Sequence, residues 1–300
     1  MSECRRKLRH ELQITKWSIA MKNQLFLMIA VVLTGSMARA EFKHKPDDNT
    51  LWIEDGKNIK TANTNFGGGW NNTDVTVTSN PDGGFYLEQK KQGKPQTGRM
   101  VPISPEYPYV VYEVSELEMK PGYHALWLPL LGSAMTVLEG NVQKGVFAVN
   151  YYENSKLKPN AKQSFLGLHI HGLKVGFKYI KVVKVPDYYI NVESPAFTEK
   201  KYCAPGDKVK FTVYLKEEAE DVSLRFFRST VLPLQINGSS KLQLLPVDGG
   251  NNKVWSAEIT LKSIAPAKKE LAPLIKAVIL GNETAPDALW GKSSYLFHIK

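Results

Sequence analysis

The chain has 300 residues, with 39 basic and 29 acidic side chains and a formal net charge of +10. Past residue 40 its basic groupings are modest, such as Lys90-Lys91, Lys200-Lys201 and Lys268-Lys269. Nucleic acid, which calls for clustered runs of basic residues, is therefore not the expected partner.

Residues 21–40 read MKNQLFLMIAVVLTGSMARA. Lys22 gives a basic start, residues 25–33 are an unbroken apolar run, and Ala38-Arg39-Ala40 fits the small-x-small cleavage rule, with Glu41 opening the mature chain. The run is shorter than the roughly 20 residues a bilayer span needs, so 1–40 is expected to be a secretory signal region with no stable membrane span after cleavage. Met21 is a better start than Met1. A mis-called start and a long basic n-region both stay open for the first twenty residues. The expected location is periplasmic or extracellular. Residues 1–40 carry seven basic and two acidic side chains, so their removal lowers the net charge from +10 to +5. Cys4 leaves with them, and Cys203 alone cannot form an internal disulfide. Stability must then come from packed core, for which about 260 residues suffice.

Beyond residue 41 the pattern is all-β. Short branched and aromatic runs alternate with Gly, Pro, Asn and Asp turns: 74–78 (DVTVT), 109–114 (YVVYEV), 146–152 (VFAVNYY), 165–171 (FLGLHIH) and 175–185 (VGFKYIKVVKV). If 109–114 is a strand, Tyr109, Val111 and Glu113 share one face, and Val110, Tyr112 and Val114 the other. A boundary is expected near 186–195. After it, 208–215 (KVKFTVYL) alternates Val209, Phe211, Val213 and Leu215 with polar neighbours. Runs at 222–227, 242–245, 254–261, 274–280 and 295–299 follow at sandwich spacing.

With its entry turn APGDKVKFTVYL and the later VWSAEITL, the stretch 193–300 resembles bacterial immunoglobulin-like or fibronectin-like domains, without the paired cysteines of antibody domains. The stretch 45–187, with edge aromatics, Gly/Asn-rich loops and a long closing strand, is similar to jelly-roll carbohydrate-binding modules. The resemblance implies two β-sandwiches, the first larger than the second, and a polysaccharide or cell-surface glycan as partner.

The loop 63–72 (NTNFGGGWNN) joins three glycines, Trp70, Asn71 and Asn72. Sugar recognition needs a flat ring for stacking and amides for hydroxyls, and this loop supplies both. The alternative is a surface loop whose Trp70 tucks into the core edge. Tyr123 and Trp127 belong to a second aromatic group that would either line a groove or fill the space between sheets. Arg99 is the candidate for orienting hydroxyls or an acidic group. His169 and His171 share one side of a strand, but no carboxylate follows within a few residues, so no metal site is expected. Were there catalysis, Tyr123, His124, His169, His171 and Arg99 would be its first candidates. The chain lacks G-x-S-x-G, Walker A, H-E-x-x-H and dinucleotide motifs. Asn71, Asn237 and Asn282 open glycosylation sequons, read as chance matches behind a bacterial-looking leader. The expected function is non-catalytic carbohydrate binding by an exported protein, without cofactor. Two alternatives stand beside it: a structural or adhesion protein that binds another protein, and a secreted polysaccharide lyase or hydrolase.

Overall fold

Branched and aromatic residues in period-2 patterns pack well on a pleated surface, and strands dominate the described residues. The computed structural model describes residues 47–298 except 63–68, 91–94, 123, 131–133, 140–142, 152–160, 201, 229–231, 268, 284, 287 and 293–295. The expected signal region 1–40 lies outside the described residues. A six-residue helix, Pro195–Lys200, follows the strand Tyr189–Glu193. No helix among the described residues is long and apolar enough to cross a membrane.

The centre of the molecule is a ten-stranded sheet. Nine strands run in the order Lys241–Gln243, Asp221–Phe227, Leu274–Leu280, Leu289–Lys292, Gly145–Asn150, Tyr109–Met119, Leu173–Val183, Phe85–Gln89 and Val75–Ser79. The tenth, Thr50–Glu54, pairs with the last residues of Leu173–Val183. The strands on either side of the expected boundary are thus joined. Leu289–Lys292 pairs parallel with Gly145–Asn150 and antiparallel with Leu274–Leu280. At this seam Val146 N donates to Ala288 O at 2.8 Å. A Cβ on Gly145 would stand 2.4 Å from that same oxygen, and its φ is +143°, so glycine alone fits the approach.

Two further sheets cover this one. Gln96–Pro102, Gln163–His171, Ala125–Leu130 and Ala134–Glu139 form the first; Tyr189–Glu193, Lys208–Tyr214, Val254–Thr260 and Leu245–Pro246 form the second. Each encloses a core. Leu166, Leu168, Ile170 and Val101 meet Val110, Tyr112, Val114, Phe147, Ile180 and Val182 in the first. Val209, Phe211, Val213 and Trp255 meet Val111, Val146, Ala148 and Val183 in the second. The middle strands are therefore apolar on both faces, as strands covered on both sides must be. Residue 111 on one side and residues 110, 112 and 114 on the other fall as the alternation predicts. Trp290, Ala288 and Leu274 come from the C-terminal stretch, yet they pack in the first core. Cys203 is buried in the second core, and burial pushes its thiol above the ordinary cysteine value, which suits a structural thiol.

Candidate functional site

The loop expected to present a sugar-stacking indole does not expose it. Trp70 is fully buried in the first core. Its Nε1 donates to Glu54 Oε2 at 3.0 Å, and its ring lies 5.7 Å from that of Phe85. The reason is Glu54, whose side chain is 5% exposed and needs donors to be buried at all. Trp70 supplies one donor. Arg99 supplies another, with Nη1 at 2.7 Å from the same oxygen, and the Gly56 N–H reaches Oε1 at 3.3 Å. The Arg99 guanidinium also stands 5.3 Å from the Trp52 ring and 5.9 Å from that of Trp70. Burial pulls Arg99 below its ordinary value, and Glu54 counters by holding the charge. Both side chains assigned to ligand contact, Trp70 for stacking and Arg99 for orientation, are thus committed to a closed internal cluster.

Asn71 and Asn72 are half-buried beside it. Asn71 Oδ1 accepts from Thr73 N at 2.9 Å, an Asx turn that shapes the strand end. Residues 63–68 of the loop and Tyr123 lie outside the described residues. Trp127 sits in Ala125–Leu130 opposite His169, with its side chain also outside them. His124 Nε2 meets the Lys120 carbonyl. His169 and His171 are half-buried on the strand Gln163–His171.

An open cleft of about 690 Å³ lies elsewhere, lined in part by Glu113, Ser115, Lys144, Lys178, Tyr179, Asp187, Tyr188, Lys216 and Glu217. It originates in two irregularities of strand pairing. Gly176 pairs with Glu116 and Phe177 with Val114, so Ser115 is an extra residue on one strand. Phe177 then pairs with Val114 and Tyr179 with Glu113, so Lys178 is an extra residue on the other. The two bulges compensate, and the register on either side is the same. Each reverses which parity of its strand faces inward. Before the bulge Val110, Tyr112 and Val114 enter the first core; after it Leu117 packs there. In the partner strand the inward residues are Leu173, Val175 and Phe177, then Ile180 and Val182. The inward spacing therefore reads two, two, three in both strands. The opposite face changes at the same line, from apolar Val111 and Val183 under the second core to polar side chains facing the cleft.

Loops from the C-terminal stretch supply the remaining walls. Lys216-Glu217 follows Lys208–Tyr214, and Ala285-Pro286 precedes Leu289–Lys292. Asn282 ties these loops together: its Nδ2 donates to Glu218 O at 3.0 Å, and its Oδ1 accepts from Ala285 N at 3.1 Å. Asp187 and Tyr188 come from the connection between the two stretches.

Three carboxylates and three ammonium groups line the cleft, so its formal charge is zero. Lys178 Nζ lies 3.3 Å from Glu113 Oε1, and Lys181 Nζ lies 3.2 Å from Asp187 Oδ2. Lys181 also stands 4.7 Å from the Tyr179 ring. Burial, and then the neighbouring Glu113 carboxylate, push the Tyr179 phenol above the ordinary tyrosine range. Tyr188 is raised by burial and by Glu217, Asp187 and Glu113. Both phenols thus keep their protons; the Tyr179 hydroxyl donates to Glu113, and Tyr188 is mostly buried in the second core at the cleft wall. Equal numbers of anionic and cationic side chains line the space beside two phenols, which suits a ligand rich in hydroxyl groups. Sequence reasoning singled out none of these side chains as a site. The signal was present in the broken spacing of 109–119 and 173–183.

No protein-family model matches the chain, and no curated protein matches it either.

Proposed function

We propose that this protein is a non-catalytic glycan-binding protein whose site is the cleft at the paired bulges. The observation that carries the reading is the lining itself: a 690 Å³ space in which neutral phenols, carboxylates and ammonium groups are brought together from distant parts of the chain with no net formal charge. A polyanion would call for an excess of cations there, and an apolar ligand for a greasy wall. A neutral sugar chain needs donors and acceptors in equal supply. The exported location expected from residues 21–40 belongs to the same proposal, as do the jelly-roll and immunoglobulin-like resemblances of 45–187 and 193–300.

The test is retention of the purified protein on neutral, uronate-containing and sulfated polysaccharides, with released reducing or unsaturated ends measured in the same samples. Retention on a neutral polysaccharide without product supports the proposal. Product formation replaces it with the polysaccharide-active enzyme, and no retention on any matrix removes it.

A second reading has one observation in its favour. Leu245, on the outermost strand of its sheet, is 71% exposed, and Val247 close by is 40% exposed. A bare edge with apolar side chains is a template for another chain, although Pro246 blunts it by withholding an N–H. Capture of a protein partner that Leu245→Lys abolishes would favour the adhesion reading.

A further inference from the structure

Past the bulges, the outer face of the ten-stranded sheet carries a row of polar side chains around one aromatic ring. Tyr86, on Phe85–Gln89, pairs with Gly176, which pairs in turn with Glu116. The Tyr86 ring lies across the middle strand. A Cβ on Gly176 would stand 3.1 Å and 3.4 Å from its Cε1 and Cδ1 atoms, and 2.9 Å from the Cβ of Glu116. Any larger residue there would have to displace the ring. At its far end the Tyr86 hydroxyl lies 3.0 Å and 2.9 Å from the two Glu116 oxygens. Asn80 Nδ2 fixes that carboxylate from the other side at 3.3 Å. Lys174 Nζ stands 4.8 Å from the ring centroid and 3.8 Å from Glu118 Oε2. Tyr86 remains half-exposed. The chain thus spends a glycine, a carboxylate and an amide on holding one ring flat on an open sheet face.

This face is continuous with the cleft. Ser115, in the cleft wall, donates from its Oγ to the carbonyl of Gly176, the residue that pairs with Tyr86, at 3.2 Å. Along the middle strand, Gly176 and Tyr179 are three residues apart, or about 10 Å at the rise of a β-strand. That is longer than one sugar ring. The Tyr109, Tyr189 and Tyr214 rings offer no comparable platform: Tyr189 and Tyr214 stack on each other at 4.2 Å with an interplanar angle of 10°, so their faces cover one another.

Resting on the glycan reading of the cleft, we infer that the site is longer than the cleft and that Tyr86 is its outer subsite. The ligand is a linear neutral oligosaccharide. Its inner units lie among Glu113, Tyr179, Tyr188 and Glu217, and an outer unit stacks on Tyr86. Lys174 swings off the ring to admit it, an exchange open to a half-exposed lysine whose cation–π contact is weak at an exposed site.

The test compares disaccharides with hexasaccharides of the β-1,4-linked gluco-, xylo- and manno- series by calorimetric titration of the intact protein. At least one series is expected to bind, with the hexasaccharide about tenfold tighter than the disaccharide, the range of one aromatic anchor. Tyr86→Ala should remove that advantage and leave disaccharide binding unchanged, while Tyr86→Phe retains most of it. Glu217→Gln should weaken both lengths. Equal affinity for both lengths, or a hexasaccharide advantage that survives in folded Tyr86→Ala, overturns the outer subsite while leaving the cleft reading intact. Loss at Tyr86 with no effect at Glu217 overturns the cleft reading and this extension with it, as does failure of every series to bind. Thermal melting of each variant separates loss of binding from loss of fold.

Discussion

The Glu54 cluster and the Glu113 cleft both combine carboxylates, basic groups and aromatic rings, and they differ in kind. Around Glu54 the charges are sealed in: one carboxylate accepts from an indole, a guanidinium and a backbone amide, with two tryptophans beside the guanidinium. Around Glu113 similar groups stand in an open cleft where sheet pairing breaks and resumes. Residue types alone do not separate the two. The Glu54 cluster sits against Trp52 and Trp70 of the first core, whereas the Glu113 cleft sits where alternation is reset on two adjacent strands. A charged group with its partners inside the protein holds the fold together. One whose partners line an open space is available to a ligand.

The sharpest way to break the comparison is to remove Glu54. Glu54→Ala leaves the Arg99 guanidinium buried without its counter-charge, and a loss of about 3–5 kcal/mol in urea unfolding is expected. If Glu54→Ala unfolds at the wild-type urea midpoint, the closed cluster is not structural. Gly145→Ala should cost about 1–3 kcal/mol, because a Cβ would press on the Ala288 carbonyl at a positive φ. That loss should be accompanied by faster amide exchange at Val146, whose N–H crosses the seam. Tyr112 works in the opposite direction from Glu54. Its hydroxyl is buried and has no hydrogen-bond partner among the described residues. Tyr112→Phe should therefore stabilise the fold by about 1–2 kcal/mol. Burial also raises the Tyr112 phenol above its ordinary value. The unfolded phenol ionises near pH 10 while the folded one stays protonated, so this contribution is intact below about pH 10 and falls by about 1.4 kcal/mol per pH unit above it. The Phe variant should lose that share of the alkaline slope. At the smallest end, Lys178→Ala and Glu217→Gln in the cleft should shift stability by less than about 0.5 kcal/mol.

The all-β class and most of the strand positions were legible because period-2 alternation is a local property. The run at 208–215 became Lys208–Tyr214, and 274–280 became Leu274–Leu280. The seam was not legible, since Leu289–Lys292 finds its partner more than a hundred residues earlier and nothing in ALWGK names Gly145–Asn150. For a related reason the sequence left Trp70 between stacking and the core edge, and the structure takes the second. Asn and Gly neighbours make its loop look exposed, and the Glu54 and Arg99 that draw it inward are distant in sequence. The cleft is the instructive case, because Tyr109–Met119 and Leu173–Val183 both carry a three-residue step in their inward spacing. One such step reads as noise; two on adjacent strands mark a place where side chains are re-aimed.

The most direct test of the cleft is affinity electrophoresis of the wild-type protein and the Lys178→Ala/Glu217→Gln double variant through gels containing each neutral polysaccharide. The wild-type protein should be retarded by at least one, and the double variant, with its melting temperature unchanged, should migrate as in a blank gel. Equal retardation of the two proteins would place any glycan site away from the paired bulges and contradict the function assigned to them.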